Sequence, residues 1–279
     1  MNFSTNQIGG KSDERLALVQ TKIDRANKHF KELEVAINAF LATNPYEVVG
    51  KQDSHTRQIT YYIARVEPIP FYLAAMTGDV IQNLRSALDH LAMQLYLVGP
   101  MGGDERSVYF PTDSSATQYN SSAPGKVRGM RQDAIDAINA LEPYDGGKGA
   151  DFSLLNRLNR IDKHRLLITV GFSLNSSNVG PIVLGLAKAQ VAKAWPAKKF
   201  TFERLDIFLS PANRMFNLKV GDILETVPPE SEVYKKSDFR FNVSLNEPGV
   251  IECEPLLDTL SRFGELVNRT LSNFRPLLS

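Results

Sequence analysis

The stretch SDERLALVQTKIDRANKHFKELEVAINAF, residues 12–40, decides the fold. Its apolar residues Leu16, Val19, Ile23, Ala26, Phe30, Leu33, Ile37 and Phe40 are spaced alternately three and four apart, the period of one face of an α-helix. The spacing predicts one long amphipathic helix over 13–43, with Ser12 as its N-cap. Pro45 in TNPYEVV lacks the N–H that would continue the ladder and ends it. An apolar stripe of that length has to be covered, so partner helices are expected downstream.

Working outward, YEVVG and RQITYYIARVE are rich in β-branched and aromatic residues and flank a polar turn, KQDSH, which predicts a β-hairpin at 46–67. A second helix is expected over 70–98, ending at VGP, and then a long polar loop over 99–126 whose YFP anchors it to the core. A third helix is expected over 127–141 and a fourth, FSLLNRLNRIDKHRLLI, capped by Asp151 or Ser153. After Val170 the segments GPIVLGLA, KFTFERLDIFL, MFNLKVGDILETV and FRFNVSLNEPGVIECEP read as strands, with NEPG as a hairpin connection. Leu256, Leu260, Phe263, Val267 and Leu271 return to helical spacing. The expected fold is therefore α+β. An antiparallel helical bundle over 11–170 carries the hairpin, a β-rich segment spans 171–253, and a closing helix over 254–279 packs on the bundle, the whole of 1–279 forming a single compact domain.

Composition narrows the function. With 32 basic and 31 acidic residues the net charge is +1, which removes any global attraction to nucleic acid or an anionic membrane and leaves only local basic faces. Cys253 is the single cysteine, so an intrachain disulfide is impossible. The start, MNFSTNQIGGKSDERLALVQ, has no basic stretch leading into an apolar run, and no apolar run approaches the roughly 20 residues of a membrane span. A cytoplasmic chain with no membrane partner is expected.

The second helix contains NLRSALDHLA, residues 83–92. At helical pitch, Leu84, Leu88, Leu91 and Leu95 form its core stripe, Asp79, Asn83, Ser86 and His90 line one flank, and Arg85 and Asp89 the other, four apart and able to pair. In the fourth helix, Leu154, Leu158 and Ile161 are the apolar stripe. Arg165 projects into it, Asp162 sits beside it, and Arg157, Arg160 and His164 form a basic face on the opposite edge. A charge on a core stripe needs a partner. Arg165 is therefore expected to meet Asp79 or Asp89, and Asp162 to meet Arg85. This network is either structural, fixing helix register, or an active site.

Arg85 followed at four intervening residues by His90, with the polar Ser86 after the arginine, resembles the Arg–x(4–6)–His signature of the HEPN superfamily (higher eukaryotes and prokaryotes nucleotide-binding). The wider pattern GDVIQNLRSALDHLA, ALEPY and LNRLNRIDKHRLL, across roughly residues 70–168, is also similar to a group of uncharacterised bacterial proteins. The resemblance implies a helical bundle, a homodimer, and a metal-independent endoribonuclease of a toxin or defence type. In that reading His90 is the acid or base, Arg85 holds the scissile phosphate, and Asn83 and Asp89 orient them. Arg157, Arg160, Lys163 and His164 then track the RNA backbone. The alternative is a non-catalytic binding or dimerisation module whose Arg/Asp/His cluster is a structural ion network. The two differ in access: a catalytic pair must be reachable, whereas a structural pair can be sealed.

Other chemistry is thinner. His29, His90 and His164 fall on three expected helices, an arrangement that can hold a metal in a bundle, but no His–x(3)–His or Glu–x–x–His spacing supports one. GGKG lacks the spacing of a phosphate loop and no Gly–x–Ser–x–Gly occurs. No metal and no cofactor are expected. Cys253 reads as strand packing, and Lys188, Lys193, Lys198 and Lys199 around Trp195 as a solvated strand edge.

Overall fold

A computed structural model of the protein describes residues 11–165, 168–211, 216–235 and 238–279. It is α+β. Helix α1 (Lys11–Ala42) is followed by β1 (Tyr46–Gln52), β2 (Ile59–Val66) and helix α2 (Phe71–Leu97). Val19, Ile23, Ala26, Leu33 and Ile37 of α1 are buried, as the three-four spacing requires. Arg15, near the start of α1, donates to Gln94 Oε1, near the end of α2, at 3.0 Å, so the two helices run antiparallel. Helix α7 (Leu256–Phe274) packs on α1 and α2, and α5 (Ala150–Arg165) packs on α2. With neighbours on several sides, α2 is central and buried beyond its leucine stripe, which is why Asn83 and Arg85 are buried too.

The stretch 99–126 is not wholly a loop. A 3-10 turn (Glu105–Ser107) precedes an extended run at 108–112, and Ala116–Lys126 is helix α3. Ser115 caps α3 by accepting from the Gln118 N–H at 3.3 Å, and Tyr119 and Ala123, four apart, are its buried contacts. The expected anchor is present, since the Phe110 ring is buried. The third expected helix starts later than its pattern suggested, as α4 (Gln132–Ala140). Gly129 stands before it at φ +91°, where a Cβ would meet the Gly102 carbonyl oxygen at 2.5 Å, so the chain turns there and cannot be helical.

After α5 come β3 (Val170–Asn178), helix α6 (Gly180–Ala194), β4 (Phe208–Leu209), β5 (Ile223–Val227), β6 (Phe239–Glu247) and β7 (Ile251–Pro255). Strands β4-β3-β6-β7 form one sheet, and NEPG turns β6 into β7. Strand β5 instead joins the N-terminal hairpin as β1-β2-β5, pairing antiparallel with β2. Two expected strands are corrected. GPIVLGLA opens α6: Pro181 occupies its first turn and Asn178 Oδ1 accepts from the Gly180 N–H at 3.0 Å. Of KFTFERLDIFL only Phe208–Leu209 is strand. Lys188 and Lys193 therefore sit on a helix and not on a strand edge.

Candidate functional site

Arg85 is the hub of the polar residues on α2. Its residue is 6% exposed. The Nε donates to Asn156 Oδ1 of α5 at 2.9 Å and the Nη2 to the Phe110 carbonyl at 2.9 Å, while Nη2 also lies 2.9 Å from Asp89 Oδ1. Asp89 Oδ1 in turn accepts from the Phe110 N–H at 3.1 Å. The pair thus clamps the backbone of Phe110 against α2 and ties α5 to both. Arg85 Nη1 is buried with no hydrogen-bond partner among the described residues. Burial pulls the guanidinium below its ordinary value, opposed by the Asp89 charge. Burial pushes the Asp89 carboxyl up, opposed by Arg85, the Phe110 N–H, Lys163 and His90.

The other expected members lie elsewhere. The carboxylate partner of Arg85 is Asp89, on the same helix, and not Asp162. Asp162 lies over Gly78, where an added Cβ would meet its Oδ1 at 2.3 Å. Burial and then the nearby Asp79 charge push its carboxyl up. Asn83 Nδ2 donates to the Asp79 carbonyl of its own helix at 2.8 Å and orients neither Arg85 nor His90. The side chain of Arg165 lies outside the described residues, and so does its pairing with Asp79 or Asp89. His90 is exposed, next to the clamp through its effect on Asp89. Arg85 and His90 therefore stand in opposite environments, the guanidinium sealed and the imidazole open. Asn156, the third partner of the arginine, carries no charge or pattern that marks it in the sequence.

The open basic feature is on the other side of α5. Arg157, Arg160, Ile161 and His164 form one wall of a cavity of about 350 Å³, and Pro248, Gly249 and Val250 of the β6–β7 turn form the other. Arg157 is fixed: Nη1 lies 2.9 Å from Asp145 Oδ2 and Nη2 donates to the Gly249 carbonyl. Arg160 and His164 are exposed and have no ion pair among the described residues. Lys163 is not part of this wall and faces Asp89 and Asp162. Arg160 is thus an exposed guanidinium with no ion pair among the described residues, beside an exposed imidazole and an arginine already held by a carboxylate.

A second cavity, about 380 Å³, lies between α3 and α4, lined by Tyr119, Ala123, Val127, Ile135 and Tyr144 with Asn139. Burial pushes the Tyr119 hydroxyl up to about 12, and it donates to Asn139 Oδ1 at 2.9 Å. One of its walls is α3, the helix that stands where the sequence predicts a loop. His29 pairs with Glu32 at 3.1 Å, and no three His, Cys, Asp or Glu side chains are grouped for a metal among the described residues. No helix among them is long and apolar enough to cross a membrane. No family model, no curated protein and no solved structure matches the chain.

Proposed function

We propose that the chain is a binding module in which the Arg85–Asp89 clamp is structural and the Arg157/Arg160/His164 cavity takes a phosphate-bearing ligand, RNA backbone in the first instance. The observation that carries this reading is the split between the two basic groups. Arg85 is sealed under the Phe110 backbone, while Arg160 and His164 open to solvent beside a cavity of about 350 Å³. A homodimer and a cytoplasmic setting belong to the same reading.

The test is fluorescence anisotropy of a labelled single-stranded RNA. Binding is expected to weaken steeply between about 50 and 200 mM salt, because phosphate contacts release counterions. Arg160→Glu is expected to abolish it with an unchanged melting temperature. An unaltered affinity in Arg160→Glu overturns the assignment of the cavity.

The HEPN-type ribonuclease is the second reading, favoured by one observation: His90 is exposed and close enough to Asp89 to affect its charge. It requires RNA cleavage in EDTA that disappears in a folded His90→Ala variant. Cleavage by that variant at the parent's rate, or none by the parent, leaves the binding reading alone.

A further inference from the structure

Helix α6 and the chain that follows it carry an apolar, basic surface that neither reading uses. Residues 180–202, GPIVLGLAKAQVAKAWPAKKFTF, contain four lysines and no Asp or Glu. The inner face of α6 is packed through Leu184 and Gly185. Lys188 is held against the body by Glu232 and lies 5.6 Å from the centre of the Phe202 ring. The outer face is different. Val183 and Leu186 on it are exposed, and so are Trp195 and Phe200 beyond the end of the helix, Trp195 by 52%. Trp195 and Phe200 have ring centres 6.0 Å apart, and the Lys198 N–H closes a turn onto the Trp195 carbonyl at 3.1 Å, which brings Lys198 and Lys199 to the end of the helix. Lys193, Lys198 and Lys199 have no ion pair among the described residues.

Isolated exposed apolar residues need no explanation, but a cluster does. Of the 17 large apolar side chains exposed among the described residues, seven lie between Val183 and Leu209. This surface has exposed aliphatic side chains on α6, a tryptophan just past its end, and three lysines with no ion pair among the described residues. Exposed aliphatic and aromatic groups with lysines beside them suit an anionic lipid interface, where the apolar groups enter the headgroup boundary and the lysines meet the phosphates.

We infer that the outer face of α6 together with the turn after it, with Leu186 and Trp195 as apolar contacts and Lys193, Lys198 and Lys199 as charges, docks on the surface of an anionic lipid bilayer. The contact is peripheral and reversible, and it is separate from the Arg157/Arg160/His164 cavity. The small net charge of the whole chain does not oppose it, since Glu203, which follows the stretch directly, is a single acid against Lys193, Lys198 and Lys199.

Trp195 is the only tryptophan in the sequence, so its emission reports this face alone. The experiment titrates the full chain with vesicles of phosphatidylcholine containing about a third phosphatidylglycerol, and with phosphatidylcholine alone. It follows Trp195 emission and, in parallel, flotation of the protein with the vesicles. The expected result is a blue shift and flotation with the anionic vesicles, neither with the neutral ones, and reversal in 0.5 M salt. The triple substitution Lys193→Glu/Lys198→Glu/Lys199→Glu is expected to weaken binding on the order of 100-fold while melting like the parent. Absence of both the shift and flotation with anionic vesicles overturns the inference. So does a shift produced by polyglutamate and not by vesicles, which would assign the face to an acidic protein, or one that grows with protein concentration alone, which would assign it to a second copy.

Discussion

Arg85 Nη2 and Asp89 Oδ1 lie 2.9 Å apart, and both are spent on the backbone of Phe110, the guanidinium on its carbonyl and the carboxylate on its N–H. A single i, i+4 pair thereby holds the middle of the 108–112 run in place, and through Asn156 it holds α5 as well. On a solvated helix face such a pair contributes a few tenths of a kcal/mol. Here the arginine is buried, so removing Asp89 leaves its charge without a counter-ion, and removing Arg85 leaves the Phe110 carbonyl and Asn156 without their donor. Arg85→Ala is expected to destabilise the protein by about 3–5 kcal/mol, measured by urea unfolding. His90→Ala, at an exposed position, is expected to stay within about 0.5 kcal/mol of the parent. In a double-mutant cycle Arg85→Ala and Asp89→Ala are expected to be non-additive by about 1–3 kcal/mol. Additive, small effects would show that the clamp carries no stability.

The close approach of Asp162 to Gly78 makes a second, coupled prediction. Alanine in place of an interior helical glycine ordinarily gains about 1 kcal/mol. At position 78 the new methyl meets the Asp162 carboxylate, so Gly78→Ala alone is expected to lose that gain. In an Asp162→Ala background the same substitution is expected to stabilise by up to about 1 kcal/mol. Equal effects of Gly78→Ala in the two backgrounds, read from urea midpoints, would refute the contact.

The pH dependence of the same carboxylate has a definite sign. Burial and the Asp79 charge raise the Asp162 carboxyl in the folded protein. A raised acid binds its proton more tightly when folded, so its favourable contribution is present below the unfolded value of about 3.9 and is lost as pH rises through the folded value. Above that window the charged carboxylate opposes folding. Asp162→Asn is therefore expected to melt higher than the parent at pH 7, with the difference shrinking as pH falls toward 4. A variant that melts below the parent at pH 7 would show that the charge is welcome there.

What could be read from the sequence followed the length of each pattern. Helix α1 was legible because eight apolar positions keep one period. The hairpin was legible because β-branched and aromatic residues flank a polar turn, though not that β5 would extend it, since pairing between distant strands leaves no local trace. GPIVLGLA was misread because a short apolar run has no period of its own. Its helical start is marked by Pro181 in the first turn and by Asn178, one residue before the N-cap, whose Oδ1 accepts from the Gly180 N–H. The Arg85–Asp89 pair followed from spacing, but its burial did not: the wall that seals it is the backbone of Phe110, brought in from a segment that read as loop. The basic face of α5 was visible, and its opposite wall, Pro248–Val250, was not, because only the fold brings a turn near the C-terminus to that helix.

That opposite wall separates the roles of two neighbouring arginines. Arg157 joins α5 to Asp145 and to the Gly249 carbonyl, so it shapes the cavity and has little freedom to meet a ligand. Its ion pair is partly exposed, with side chains 29% and 37% accessible, so screening keeps its direct value below about 1 kcal/mol. Arg160 bonds to no described residue and is the freer cation. Arg157→Ala is expected to lower stability slightly and to weaken anion binding by loosening the β6–β7 turn, with the logarithmic salt slope of RNA binding close to that of the parent. Arg160→Ala is expected to leave unfolding unchanged and to reduce that slope by about one, the mark of a lost phosphate contact. The distinction rests on measuring both variants at several salt concentrations. A slope lowered by Arg157→Ala and not by Arg160→Ala would reverse the two roles, and an unchanged slope in both would move the phosphate contacts away from this cavity.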